Sequence, residues 1–173
     1  MEMRRFLTLE GRLTGPAGKT LQKLQQQGNP WGFSESDRAK WVSEVEGLNV
    51  LGEDGVEDAT EFDFVYWMGC YGGYDPRGQN IAKSVVSLLT QAGVKFAVLG
   101  PKEKCTGDPA RRLGEEALYQ MLATENIENL NNLKVKKVIA NCPHCFNTIK
   151  NEYPQFGGNF EVINHTQLLS DLV

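Results

Sequence analysis

Four thiols are the groups in this chain best suited to chemistry. Cys70, Cys105, Cys142 and Cys145 are its four cysteines, with 34 residues between the first two and 36 between the second and third. Each falls just after an apolar, strand-like run or in the loop that follows one. Cys142 and Cys145 sit in Asn141-Cys142-Pro143-His144-Cys145-Phe146, where two thiolates three positions apart can face one ion. Pro143 suits a first helical turn, and the free N–H groups there favour the metal-binding thiolate. By count, four cysteines suit tetrahedral zinc and a cubane iron–sulfur cluster equally well. Gaps this long are unlike the compact ribbons and fingers of structural zinc and match what two successive βα units would impose. The plainer reading, small buried apolar residues, fits this placement less well.

The residues around the sulfurs fit a cofactor site. Gly69, Gly72, Gly73 and Gly78 form no Gly-x-Gly-x-x-Gly or Gly-Lys-Ser/Thr phosphate loop, so they are expected to let backbone approach a cofactor closely. Gly107 should permit N–H donation to sulfur, with Asp108 as N-cap and Pro109 first in a helix. Arg111 and Arg112 could meet an anionic substrate or a partner's carboxylate, or be surface arginines near Glu115 and Glu116. His144 could hydrogen-bond beside the cofactor and tune it, and His165 lies on the same sheet edge. With four sulfurs committed to a metal, no acid–base constellation remains, and no catalytic residue is assigned.

The elements that must position these residues follow from patterning. Strands are expected at Phe62–Met68, Lys95–Leu99, Lys137–Ala140 and Phe160–Ile163, with Phe64, Tyr66 and Trp67 in the core. Between them a helix with Ile81, Val85, Leu88 and Leu89 ends at Gly93, and a long helix carries Leu113, Ala117, Leu118, Met121 and Leu122 on one face. A further helix follows Cys145, and Thr166–Val173 closes the chain. Alternating strands and helices predict an α/β fold: a four-stranded, mainly parallel sheet with helices on both faces. Ligands of such sheets gather beyond the carboxyl ends of the strands, the side on which all four cysteines fall. Residues 1–60 read as a polar, partly helical arm and residues 61–173 as the cysteine-rich domain. In the arm, Leu21–Gln27 should form a short helix, Gly28-Asn29-Pro30-Trp31-Gly32 a turn, and Ser34 should cap a helix through Trp41 to Val45. Trp31, Phe33 and Trp41 should pack the arm, and Gly52–Asp58 should be an acidic loop.

Composition excludes some classes. The 173 residues fit one domain with an extended arm, and the net charge of −4 leaves no basic footprint for nucleic acid. No apolar run is long enough to span a membrane, and the first residues lack a secretory core. The expected compartment is therefore the reducing cytosol, where cysteine clusters are ligands or redox groups more often than structural disulfides.

Cys142-Pro143-His144-Cys145 at a helix start also looks like the redox motif of oxidising thioredoxin-fold proteins. There the motif follows the first strand and most of the fold comes after it, whereas 28 residues follow Cys145 here. The whole set has a closer match. Cys70, Cys105-Thr106-Gly107 and Cys142-x-x-Cys145 resemble the CCG (cysteine-rich) domain of heterodisulfide reductases and related iron–sulfur oxidoreductases. Lys104–Gly114 and Cys142–Gly157 look like the branch found beside FAD-linked dehydrogenases and electron-transfer flavoproteins. Met3–Leu7 and Gly28–Gly32 resemble the linker that follows a two-cluster ferredoxin module in longer relatives.

The resemblance implies an iron–sulfur site held by Cys70, Cys105, Cys142 and Cys145, with Gly69, Thr106, Gly107 and His144 around the cofactor. It implies two CCG units in a row, sometimes with a noncubane 4Fe-4S cluster on five cysteines per unit. Position 106, where the motif has its second cysteine, is Thr106, which favours an ordinary cubane 4Fe-4S cluster, or zinc. The chain carries neither ferredoxin cysteines nor a second CCG unit, so it looks like one part of a longer protein or of a split complex. The implied activity is electron transfer or disulfide reduction within an oxidoreductase complex, not independent catalysis. Its partners would be a flavoprotein dehydrogenase or electron-transfer flavoprotein and a ferredoxin-type module, in a cytoplasmic complex that could sit at a membrane. Two alternatives remain: a zinc-stabilised interaction module, or a thiol–disulfide enzyme using Cys142 and Cys145. Cys105→Ser should lose the metal under either metal reading, as measured by iron and zinc content.

Overall fold

The computed structural model describes residues 2–53 and 55–173. Four strands, β1 (Phe64–Trp67), β2 (Phe96–Val98), β3 (Lys137–Ala140) and β4 (Glu161–Asn164), form one sheet in the order β2-β1-β3-β4. All three pairings are parallel, Val65 lying opposite both Ala97 and Val138, and Val138 opposite Val162. The expected α/β class is the one observed.

Side chains along each strand alternate between two cores. Val65, Trp67, Ala97, Val138, Ala140 and Val162 enter one, and Tyr66, Phe96, Val98 and Ile139 enter the other. Phe64, at the start of β1, is half-buried against the second core. Helix α5 (Pro76–Gln91) covers the second core with Ala82, Val85, Val86 and Leu89, helped by Leu168 of α9 (His165–Asp171). Helix α7 (Glu116–Asn132) covers the first with Leu118, Tyr119, Leu122, Ala123, Ile127 and Leu130.

Two helical faces differ from expectation. In α5, Ile81 and Leu88 are 39% and 48% exposed, because the small Ala82 and Gly78 take the packed stripe. The expected long helix is two. α6 (Asp108–Leu113) stops at Gly114, whose missing Cβ would stand 2.6 Å from the Arg4 backbone. Helix α7 then starts afresh on a rotated face that leaves Met121 exposed.

The segment ahead of β1 contains α1 (Glu2–Leu9), which the sequence did not signal, α2 (Gly15–Gln27), longer than expected, and α3 (Glu35–Arg38). The helix foreseen through Val45 is broken into α3 and a single 3-10 turn at Val42–Glu44. Leu24, Trp41, Val42, Leu51 and Ala59 are buried, and Trp41 Nε1 donates to the Gly72 carbonyl at 3.0 Å. Trp31 and Phe33 are more exposed and lean on Tyr74. Asn49–Leu51 bonds along β2, Leu51 N–H to Val98 O and Val98 N–H to Asn49 O, both 2.9 Å, and so covers an edge that would otherwise offer unpaired backbone groups. In the expected acidic loop, Gly52 N–H donates to Val56 O, and Asp54, like Met1, lies outside the described residues. Among the described residues no helix is long and apolar enough to cross a membrane.

Helix α4 (Gly69–Tyr74) leaves β1 and packs directly on α5. A Cβ on Gly78 would lie 2.1 Å from the Tyr71 carbonyl oxygen. The glycines expected to serve a cofactor thus divide: Gly78 lets two helices approach, Gly72 faces Met68 and Ala82, and Gly73 makes room for Arg38. Gly78→Ala should lower stability by about 1–3 kcal/mol through overpacking, read as a drop in denaturation midpoint.

Candidate metal centre

The carboxyl ends of three strands bring the cysteines together. Cys70 lies in α4 after β1, Cys105 in the loop after β2, and Cys142 and Cys145 at the start of α8 (Pro143–Asn147) after β3. All four side chains line one cavity of 450 Å³, together with Thr106 and His144. Pro30, Trp31, Tyr71, Pro109 and Leu113 give the rest of the wall a mostly apolar surface, which Asp108 and Arg112 also reach. None of the cysteines is in a disulfide; Cys70, Cys105 and Cys145 are buried and Cys142 is half-buried. Among the described residues no three His, Cys, Asp or Glu side chains converge closely enough to hold one metal ion.

Electrostatics divides the thiols into two pairs. Cys70 shares a hydrogen bond with Cys105, which with the Arg38 charge outweighs burial and lowers its pKa to about 6. Cys105, the other member of that bond, is pushed well above the usual thiol value, and burial adds to this. Cys142 is likewise lowered to about 6 by its bond with Cys145, helped by the N–H groups of Cys145 and His144. Cys145 is raised by that bond, by burial and by the other three sulfurs. Two thiolates are thus favoured already, and a bound metal draws all four to the anionic form.

Backbone completes the cradle. Gly69 has φ +72°, and a Cβ there would stand 3.3 Å from Cys145 Sγ and 3.6 Å from Cys142 Cβ. Gly107 lies two residues after Cys105 at φ +86°, a left-handed backbone conformation that suits glycine. Gly107 is also the N-cap of α6, so Asp108, expected there, is the first helical residue and its carboxylate faces other groups. Asp108 Oδ2 is 3.0 Å from His144 Nδ1, and Oδ1 accepts from Arg112 Nε at 2.9 Å. His144 itself remains 72% exposed at the cavity. Arg111 and Arg112 both reach Glu152, in a π-helical segment at Thr148–Glu152, and Arg111 stacks on Tyr119. These arginines are engaged within the chain; Glu116 is taken by Arg5 at 2.8 Å. His165 starts α9 and does not line the cavity.

Several contributors were not foreseen. Arg38 Nη2 donates to Cys70 Sγ at 3.2 Å, and Arg38 Nη1 pairs with Glu103 Oε1 at 2.9 Å. The Glu103 carboxylate also accepts the N–H groups of Met68 and Gly69, at 2.9 and 2.8 Å. Asn126 Nδ2 donates to the Cys105 carbonyl and Tyr153 Oη to the Thr106 carbonyl, fixing that loop from α7 and from the turn at Tyr153–Phe156. Cys105 N–H donates to the Gly28 carbonyl at 2.9 Å, so the Gly28–Gly32 turn is tied to the same loop. Only Glu103, an acid two positions before a cysteine, carried a local signal.

Parallel βα units that deliver cysteines to one cavity define a cysteine-rich α/β domain. The chain belongs to the CCG cysteine-rich domain family, whose model matches residues 64–150. It is 44% identical over 177 residues to the EtfAB:quinone oxidoreductase of Syntrophomonas wolfei subsp. wolfei, covering 100% of this chain and 24% of that protein. It is 42% identical over 175 residues to the probable iron-sulfur-binding oxidoreductase FadF of Bacillus subtilis, covering 100% of this chain and 25% of that one. With one component of the dihydromethanophenazine:CoB--CoM heterodisulfide reductase of Methanosarcina barkeri, identity is 36% over 168 residues, 92% of this chain and 38% of that component. The chain therefore spans about a quarter of the first two relatives' length. No solved structure matches it.

Gly69→Ala should cost about 1–2 kcal/mol from the left-handed backbone alone, with Cys145 displaced in addition. Chemical denaturation gives the stability, and the alkylation rate of Cys145 reports the displacement.

Proposed function

We propose that this domain holds an iron–sulfur cluster and serves as an electron-transfer part of a larger oxidoreductase. The observation that carries the reading is the convergence of four thiols, from three successive strand ends, on one cavity. The donor set fits the group: soft sulfur ligands, two of them already favouring the thiolate, and a glycine where a Cβ would crowd the sulfurs. The long gaps between the cysteines, set by successive βα units, are unlike those of the compact ribbons and fingers of structural zinc and support a cluster over a zinc ion. When bound, such a cluster supplies one-electron chemistry.

Cys70, Cys105, Cys142 and Cys145 would be the ligands. Gly69 would leave room beside them, and the Gly107 N–H would donate to sulfur. Thr106 closes the wall where the family motif has a further cysteine, and its hydroxyl is a poor substitute for a thiolate ligand. Four sulfurs then favour a cubane 4Fe-4S cluster over the five-cysteine noncubane form. His144, held by Asp108, would sit between the ligand pair and solvent. The apolar wall of Pro30, Trp31, Tyr71, Pro109 and Leu113 keeps the surroundings of low dielectric, which strengthens every charge interaction there. Residues 61–173 would form the CCG unit and residues 1–60 its supporting arm. The partners would be a flavoprotein dehydrogenase or an electron-transfer flavoprotein, the latter supported by a relative's name, and a ferredoxin-type cluster module, in a cytoplasmic complex able to associate with a membrane.

Anaerobic purification followed by iron, acid-labile sulfide, zinc and visible-spectrum measurements tests this. The expected result is iron and sulfide with a brown absorbance that bleaches on reduction. Zinc at one per chain with no iron, in protein made with ample iron, sinks the reading in favour of a structural zinc module. Metal-free protein with two reactive thiols points instead to thiol–disulfide chemistry.

A further inference from the structure

The contact between Arg38 and Cys70 brings a cation from outside the matched segment directly onto a sulfur. Arg38 comes from α3, its side chain is 1% exposed, and three groups fix it. Glu103 takes Nη1 at 2.9 Å, Cys70 Sγ accepts from Nη2 at 3.2 Å, and the guanidinium lies 4.9 Å from the centre of the Tyr74 ring. Burial alone would weaken this cation, yet Cys70 and Glu103 hold it more firmly charged than a free arginine. The site is shaped for it, since a Cβ on Gly73 would stand 2.8 Å from Arg38 Cγ.

An ion pair this deep adds little stability over an apolar pair of the same volume, because the desolvation cost roughly offsets the attraction. Glu103 is also occupied by two backbone N–H groups, so it needs no arginine to be satisfied. What Arg38 alone provides is a fixed positive charge and an N–H donor on Cys70 Sγ.

We propose that Arg38 is a positioning residue that sets the reduction potential of the site, raising it through its hydrogen bond and charge on the Cys70 sulfur, while Glu103 holds Arg38 and offsets part of that charge. The inference rests on the iron–sulfur reading above. A donor on a ligand sulfur withdraws electron density, and a nearby cation favours the state carrying one more negative charge. One electron enters on reduction, from dithionite in the experiment below, and no bond of the protein breaks. The two side chains act with opposite sign, which a packing role would not produce.

The full chain is prepared anaerobically as wild type, Arg38→Gln and Glu103→Gln. Iron and sulfide are measured first, then the midpoint potential by mediated titration with dithionite and ferricyanide, read by absorbance and electron paramagnetic resonance. Arg38→Gln should move the potential down and Glu103→Gln should move it up, each changing the reduced-to-oxidised ratio at fixed potential by about tenfold. Unchanged potentials, or shifts of the same sign, in variants that retain iron and sulfide overturn this inference alone. Wild-type protein without iron and sulfide overturns the iron–sulfur reading and this inference with it. Should Arg38→Gln fail to hold iron, Glu103→Gln decides: an upward shift supports the proposal, and no shift or a downward one overturns it.

Discussion

One buried carboxylate joins the parts of this molecule that make the site. Glu103 gathers the Met68 and Gly69 N–H groups at the end of β1, and the guanidinium of Arg38 from α3. It stands two residues before Cys105, so the same short loop carries a ligand-type sulfur and the acid that fixes the preceding one. The turn after β1 leaves its backbone donors without strand partners, and Glu103 takes them. Leaving Arg38 buried without its acid would cost about 3–5 kcal/mol. The position of Cys70 therefore depends on a residue supplied by the next βα unit.

A second charged group encloses the opposite side. Asp108, Arg111, Arg112 and Glu152 neutralise one another, and His144 joins through Asp108. Glu152 reaches them from a π-helical segment, and the widened turn gives that backbone a different pitch from the α8 helix it continues. The cavity thus has a mostly apolar wall that the paired Asp108 and Arg112 also line, while Arg38 donates a hydrogen bond directly to the Cys70 sulfur.

Much of this was legible in the sequence. The strands announce themselves because their residues are buried on both faces of the sheet, giving short apolar runs such as Val138-Ile139-Ala140. The cysteines were legible by type and spacing, since the strand–helix repeat dictates where successive loops return to one edge. Helical faces were less so. Ala82 and Gly78 carry little hydrophobic signal yet occupy the packed stripe of α5, whereas Ile81 and Leu88 stand out in sequence and face away. Gly114 reads as an ordinary helical glycine until the Arg4 backbone is seen against it. Arg38 had no sequence mark, because its partners lie far along the chain and a pairing of that kind leaves no local pattern. Asn126 and Tyr153 escaped notice for the same reason.

The distance between those partners bears on how the chain assembles. Arg38 and Glu103 are 65 positions apart, Arg4 reaches the Arg112 carbonyl across 108, and Arg5 reaches Glu116 across 111. Closing such loops has to precede the contacts that reward it, and chains rich in distant pairings fold slowly for that reason. During synthesis the segment ahead of β1 emerges before the groups it grips. Arg4, Arg5 and Arg38 can settle only once their partners are in place, and without that segment the thiol cavity would stand open on the side that Pro30 and Trp31 wall.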